Sequence, residues 1–94
     1  MTQSQKHIAK LGFRAKDKIT GQAGVIASVS FDLYGCVCGL ISPPASKEGK
    51  IEDSRWFDIA RLEITSKARI MEPPNYDAGA VAEGKQGAAE KPVN

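Results

Sequence analysis

Alternating apolar and polar residues, interrupted by glycine and proline, run through the first two thirds of the chain. A period of two residues is typical of a strand with one buried face. The clearest case predicts a second strand over residues 24–31, whose half-buried face carries Val25, Ala27, Val29 and Phe31. Two glycines three residues apart, Gly21 and Gly24, precede it and suit a tight reversal, because glycine adopts positive φ without a Cβ clash.

The residues before this turn show the same alternation and predict a first strand. One face of it carries Phe13, Ala15, Asp17 and Ile19. The opposite face carries a row of basic residues, Arg14, Lys16 and Lys18. Because successive strand side chains point to opposite sides, we expect this basic row to be exposed.

Three further strands are predicted downstream. A turn at residues 32–35 leads into a third strand over 36–41, which ends before Pro43-Pro44. A long polar loop follows over residues 42–53 and has the composition of a mobile hairpin connection. A fourth strand then starts at Arg55, a single helical turn covers 59–61, and a short fifth strand covers 62–64. Five short strands with a helical turn before the last predict an all-β fold, a small SH3-like five-stranded barrel over residues 11–66.

Both ends of the chain look different from this central domain. Residues 1–10 are polar and predict a flexible N-terminal arm. Residues 67–94 are rich in proline, glycine, alanine, glutamate and lysine, and predict a disordered C-terminal tail that is dispensable for folding.

Composition adds few constraints. The chain has 94 residues and a net charge of +2, which is too small to imply a nucleic-acid partner by itself. Residues 1–18 carry five basic residues against one acidic residue, so an electrostatic partner would meet the first strand. No apolar run is long enough to span a bilayer, and we expect a cytoplasmic protein that does not contact a membrane.

Candidate chemistry is sparse. Cys36 and Cys38 supply two thiols where a closed zinc site needs four ligands, and the only histidine, His7, stands outside the predicted barrel. We interpret the cysteines as reduced thiols packed in a strand, and His7 as a surface residue of the arm. The sequence predicts no metal, no cofactor and no catalytic residue.

Aromatic residues point to an interface. Trp56 and Phe57 are adjacent on the fourth strand, so one ring should enter the core and the other should lie outside. Together with Tyr34 in the 32–35 turn, they are the candidate interface residues, because aromatic side chains are enriched at contact centres. The outer ring is covered either by the chain's own loop or arm, or by a partner. Weak self-association is expected, since a domain this small has little core.

A second interpretation uses the basic row. Arg14, Lys16 and Lys18 could contact phosphates while Tyr34 stacks on a base, as in proteins that bind nucleic acid through a positive groove and aromatic side chains. A solvated strand face explains the same row equally well.

Two resemblances add context. Residues 16–26, Tyr34-Gly35-Cys36 and the stretch from Trp56 to Glu63 resemble small phage and prophage proteins of unknown function over roughly residues 11–65. The barrel pattern also resembles KOW and other SH3-like modules, which implies RNA or protein binding. It is similar to the type II dihydrofolate reductases as well, which form a site between four barrels, but residues 55–61 lack their Val-Gln-Ile-Tyr motif.

The sequence therefore favours a non-enzymatic binding or assembly module of a phage or mobile element. A KOW-like nucleic-acid-binding module is the first alternative, and an oligomeric enzyme with a site between barrels is the second.

Overall fold

The computed structural model describes residues 1–77, in which strands predominate. The elements in chain order are α1 (Gln3–Ile8), β1 (Arg14–Asp17), β2 (Ala23–Phe31), β3 (Val37–Ser42), β4 (Arg55–Asp58), a 3-10 turn (Ile59–Arg61) and β5 (Leu62–Ile64). The five strands, the turn before the last strand and their order along the chain agree with the sequence prediction.

The strands form one antiparallel sheet in the order β4-β3-β2-β1-β5. The prediction of a closed barrel is therefore wrong. β4 and β5 are the two edges of the sheet, and the sheet is not closed. The connection from β4 to β5 explains why the sheet is open and not a closed barrel. The 3-10 turn of three residues carries the chain across one end of the core, and β5 then pairs with β1 instead of β4.

A small core fills the concave side of the curved sheet. Its buried apolar residues are Ala15, Ile26, Ile41, Phe57, Ile59 and Leu62. Gly39 of β3 makes their packing possible, because a Cβ there would lie 2.7 Å from Cδ1 of Leu62. β3 and β5 are separated by two other strands in the sheet, so this contact requires the sheet to curl strongly.

A bulge in β2 changes which residues face the core. Ile26 lies opposite Ile41, whereas Ser28 lies opposite Leu40, so one additional residue is accommodated at Ala27. The predicted half-buried face is therefore wrong before the bulge, where Ile26 is buried and Ala27 is exposed. After the bulge the prediction is correct for Val29, which packs against the core, and wrong for Phe31, which is 47 % exposed.

The turn between β1 and β2 uses its two glycines differently from the prediction. Gly21 has a φ of +80° and makes the reversal. Gly24 is needed for packing, since a Cβ there would lie 2.3 Å from the carbonyl oxygen of Ser42. Ile19, predicted on the inner face of the first strand, lies beyond the end of β1 and is 75 % exposed.

Asp17 is the charged group of the core, with no exposed surface. The Arg61 guanidinium donates from Nε to Oδ1 at 2.8 Å and from Nη2 to Oδ2 at 2.7 Å. The Thr20 backbone N–H and hydroxyl donate to Oδ2 at 2.9 and 2.6 Å. The Arg61 hydrogen bonds, assisted by those of Thr20, outweigh burial and hold the pKa of Asp17 well below its ordinary value of 3.8.

The N-terminal segment contains regular structure that the flexible-arm prediction did not include. Thr2 and Gln5 form a capping box, in which the Thr2 hydroxyl accepts from the Gln5 N–H and the Gln5 side chain accepts from the Thr2 N–H. This reciprocal capping explains why α1 begins in a stretch with few apolar residues. Leu11, which follows α1, packs against the core.

The first part of the predicted disordered tail lies against the domain, which is a second correction. Arg69 donates to the carbonyl oxygens of Leu11 at 3.0 Å and Ala9 at 2.8 Å. Its guanidinium carbon also lies 4.8 Å from the centroid of the Phe13 ring. The composition of residues 67–94 does not reveal this contact, because it is made by the side chain of a single arginine.

The backbone continues the same contact, since the Ile70 N–H donates to the Gly12 carbonyl oxygen at 2.7 Å. Arg69 and Ile70 thus hold residues 67–77, the docked segment, against the stretch that precedes β1. The remainder of the predicted tail, residues 78–94, lies outside the described residues.

The first prediction concerns acid stability. Because the pKa of Asp17 is lowered on folding, its ionised form stabilises the native state at any pH above its unfolded value of 3.8. This contribution is lost as the pH falls below 3.8 towards the lowered native pKa. Thermal melts between pH 7 and pH 2 should show Asp17→Asn less stable than wild type at pH 7, with a smaller loss of stability on acidification.

Asp53→Asn is the matched control, because Asp53 is an exposed carboxylate in the loop before β4. It should follow the wild-type curve. A constant difference in melting temperature between Asp17→Asn and wild type at every pH would contradict the role given to the ionised carboxylate.

The second prediction concerns the docked segment. A chain ending at Ser66 should melt more than about 5 °C below a chain ending at Asp77, because it lacks the Arg69 and Ile70 contacts. In the full chain, Arg69→Ala should cost about 1–3 kcal/mol of unfolding free energy, and Lys67→Ala should cost little. Equal melting temperatures for the two truncated chains would show that the segment contributes nothing to folding.

Candidate functional site

β4 separates the two neighbouring aromatic residues, as the strand period predicts. Phe57 is 9 % exposed and belongs to the core, whereas Trp56 is 51 % exposed on the outer, convex face of the sheet. The prediction that one ring points in and the other out is confirmed. Phe57 is consequently not available to a partner, and Trp56 is the ring of this pair that reaches the surface.

The surroundings of Trp56 follow from the pairing register. Leu40 of β3 lies directly opposite Trp56, and the next pair on the outer face is Cys38 and Asp58. Residues directly opposite each other share a face, so the indole and the half-buried Leu40 side chain form a small apolar patch. We call these two residues the Trp56 patch. It lies beside the unpaired edge of β4.

Tyr34 occupies a different position, at the tip of the β2–β3 hairpin. Its ring is 89 % exposed, and its backbone N–H donates to Oδ1 of Asp32 at 2.9 Å. The same oxygen accepts from the Cys36 N–H at 2.8 Å, and Gly35 has a φ of +91°. These contacts hold the turn in one conformation. The described pairing does not place Tyr34 beside Trp56.

The basic row is exposed, as predicted. Arg14 and Lys16 point outward from β1, and Lys18 is exposed just beyond the end of the strand. Asp17 points inward and is paired with Arg61, so it does not neutralise the row. Glu63 of β5 lies opposite Lys16 and is its acidic neighbour on the outer face.

The two cysteines differ in position. Cys36 is exposed in the turn before β3, and Cys38 is half-buried within β3, with no disulfide between them. The interpretation as packed strand residues therefore fails for Cys36. The negative charge of Asp32 is the main reason that the pKa of the Cys36 thiol is raised, which keeps it protonated and weakly nucleophilic. Among residues 1–77, no group of three or more His, Cys, Asp or Glu side chains could hold a metal ion.

His7 is a half-buried residue of α1, not the surface residue that the sequence predicts. Its ring centroid lies 6.2 Å from that of Phe31, at an interplanar angle of 53°. Its Nδ1 atom is buried without a hydrogen-bond partner. This contact connects the N-terminal helix with the end of β2.

Sequence reasoning missed an apolar and a polar cleft on the described part of the chain. An apolar cleft of about 220 Å³ lies between the β2 strand and the docked segment. Its walls include Leu11, Val25, Met71, Pro73 and Tyr76. The scattered apolar residues after Ile70 are the signal for this cleft in the sequence, but the composition around them is typical of a disordered tail.

The second cleft, of about 380 Å³, is polar and lies beside the start of β4. It is lined by Gln22, Pro43, Glu52, Asp53 and Arg55. It arises where the long loop between β3 and β4 returns to the sheet near the β1–β2 turn.

No helix within residues 1–77 has the length and apolar character needed to cross a membrane. Comparisons with protein-family models, with curated proteins and with solved structures find no match to this chain.

Proposed function

We propose that this chain is a non-enzymatic binding and assembly module, SH3-like in architecture, which associates with another copy through the Trp56 patch. The antiparallel order β4-β3-β2-β1-β5 and the 3-10 turn before the last strand support the SH3-like part of the proposal. The resemblance over residues 11–65 supports its assignment to a phage or other mobile element.

The single observation that carries the proposal is the half-exposed indole of Trp56 on a strand that is paired with β3. Strand pairing fixes the backbone of Trp56 before binding, and aromatic anchors of this kind dominate contact energies. Covering the exposed half of the ring would remove apolar surface worth about 3 kcal/mol per indole, before the entropy of association is subtracted. Weak dimers are the expected result.

The titratable groups favour a non-enzymatic role. The strongly perturbed carboxylate, Asp17, is enclosed and has both oxygens occupied by Arg61 and Thr20. A general base needs an oxygen within reach of substrate, and Asp17 does not offer one. The Cys36 thiol is exposed, but the neighbouring Asp32 disfavours its thiolate form.

The third prediction tests the Trp56 patch by sedimentation. Wild-type protein at about 100 µM should contain dimers, whereas Trp56→Lys should sediment as a folded monomer, because an ammonium group replaces the apolar contact. Ile51→Lys is the matched control, since Ile51 is an exposed apolar residue in the loop before β4. A monomeric wild-type protein at this concentration would overturn the proposal.

A second candidate function is nucleic-acid binding through Arg14, Lys16 and Lys18. The specific observation in its favour is the inward position of Asp17, which leaves the exposed row without the acid that interrupts it in sequence. Phosphate contacts by such a row would contribute affinity but little sequence specificity.

The fourth prediction distinguishes a nucleic-acid-binding module from a module that functions in assembly alone. If the row contacts three phosphates, affinity for single-stranded nucleic acid should fall with salt with a logarithmic slope of about −2. Replacing Arg14 and Lys16 by Glu should abolish binding, while Lys47→Glu in the exposed loop should leave it unchanged. Absence of binding at low salt, or binding that the double variant retains, would exclude the row as a nucleic-acid site.

A further inference from the structure

We infer that the indole of Trp56 packs into the apolar cleft between β2 and the docked segment of a second copy, while the indole of that copy packs into the cleft of the first. This inference rests on the proposed function and names the surface that receives Trp56. The resulting dimer has two equivalent contacts related by a two-fold axis.

The apolar cleft opens on the same face of the sheet as Trp56. Val25, one of its walls, lies directly opposite Arg14 of β1. Arg14 points outward, and residues directly opposite each other share a face, so Val25 points outward as well. Ala27, another wall residue, is the additional residue of the β2 bulge and is exposed. The mouth of the cleft therefore lies on the convex face.

The pairing register gives the separation between the indole and the cleft. Trp56 lies opposite Leu40, and Leu40 lies opposite Ser28, which directly follows Ala27 of the cleft wall. Neighbouring strands are about 5 Å apart, so the backbone of Trp56 lies about 10 Å from that of the cleft wall. A two-fold axis that passes between the indole and the cleft brings each indole of a face-to-face dimer over the cleft of the other copy.

The strand positions between the indole and the cleft carry no charge. They are occupied by Leu40 and Ser28, which are both half-buried. The nearest charged position on this face of β4 is Asp58, which lies on the far side of Trp56 from the chain's loop before β4. Interface centres are depleted of charged residues, which concentrate at the rim. This part of the convex face has that distribution.

The size and chemistry of the cleft suit an indole. Its volume is about 220 Å³. A closed apolar cavity of about 150 Å³ holds a benzene molecule, so the larger cleft has room for a bicyclic ring. Leu11, Met71 and Pro73 supply apolar walls, and the exposed ring of Tyr76 supplies an aromatic one. Aromatic pairs contribute more than the apolar area they bury.

The charged group in the cleft lining already has a partner within the chain. The Oε1 atom of Glu72 lies 3.6 Å from Nη1 of Arg69. The same guanidinium lies over the Phe13 ring, so both charges belong to the contacts that hold the docked segment. The cleft therefore needs no cation from its occupant, which agrees with an uncharged indole.

A second copy is the occupant because one face of the chain supplies both halves of the contact. The face carries a half-exposed indole and, beside it, an unfilled apolar cleft, so the surface is complementary to itself. A two-fold axis forms the contact twice. Two contacts formed together also explain how a small patch suffices for association, since one indole alone removes little surface from water.

Ala27→Gln tests the cleft by filling it. The longer amide side chain occupies the mouth of the cleft without adding charge, so the variant should dimerise at least about tenfold more weakly than wild type in sedimentation. Ala23→Gln is the matched control. Ala23 is an exposed residue of the same strand that pairs with Lys16, outside the cleft lining, and its variant should dimerise like wild type.

A pair of tyrosine variants tests the aromatic wall. Tyr76→Ser removes a ring from each of the two contacts and should weaken the dimer about tenfold. Tyr34→Ser removes a ring that is likewise exposed but lies at the tip of the β2–β3 hairpin, and should leave the dimer unchanged. Circular dichroism should show all four variants folded, because the replaced side chains are exposed.

A direct readout on wild-type protein does not depend on any variant. In an equimolar mixture of isotope-labelled and unlabelled copies, nuclear Overhauser effects between copies should connect the indole protons of Trp56, the single tryptophan, with methyl protons of Val25 and Leu11. Indole contacts only to other residues, or dimers that neither Ala27→Gln nor Tyr76→Ser weakens, would overturn the cleft as the receiving surface while leaving association through Trp56 intact. A monomeric wild type would overturn both.

Discussion

The ion pair between the buried Asp17 and the partly exposed Arg61 is the interaction on which the arrangement of this small sheet depends. Asp17 ends β1 and lies opposite Leu62 at the start of β5, while Arg61 ends the 3-10 turn that delivers the chain to β5. The Lys18 N–H donates to the Arg61 carbonyl oxygen at 2.8 Å, so backbone and side chain reinforce the same junction. Replacing Arg61 would leave the buried Asp17 carboxylate without its cation, which is why this junction is sensitive to substitution at Arg61.

Because the pair occupies one end of the core, the last strand must lie beside β1. That position leaves β5 at one edge of the sheet and β4 at the other, joined by a turn but not hydrogen-bonded to each other. The absence of a Cβ at Gly39 then allows Leu62 to reach across the concave face. The molecule is thus a strongly curved open sheet, and the turn that carries Arg61 connects its two edges.

The proposed interface is a consequence of how the core is filled. Phe57 supplies a large buried side chain to a core that has six buried apolar residues among residues 1–77, and the strand period directs its neighbour Trp56 outward. A core of this size gives marginal stability, so covering the exposed indole by a second copy would contribute to stability as well as to assembly. The fold and the proposed function therefore depend on the same four-residue strand.

Local patterns in the sequence determined the strands, the turn before β5 and the opposite directions of Trp56 and Phe57. Apolar–polar alternation, glycine and proline influence the backbone within a few residues. The strands, the turn and the side-chain directions can therefore be predicted without information about distant contacts. Several features depended on residues far apart in sequence and were decided by tertiary structure: the open sheet, the buried Asp17, the shift of the inner face at Ala27 and the docking of Arg69 on Phe13. In the case of Asp17, the local pattern correctly gave an inward direction, but only the arrival of Arg61 from 44 positions away explains how a charge is accommodated there. Sequence alone cannot supply that partner, because hydrogen bonds to a buried carboxylate depend on distances that exist only after the chain has folded.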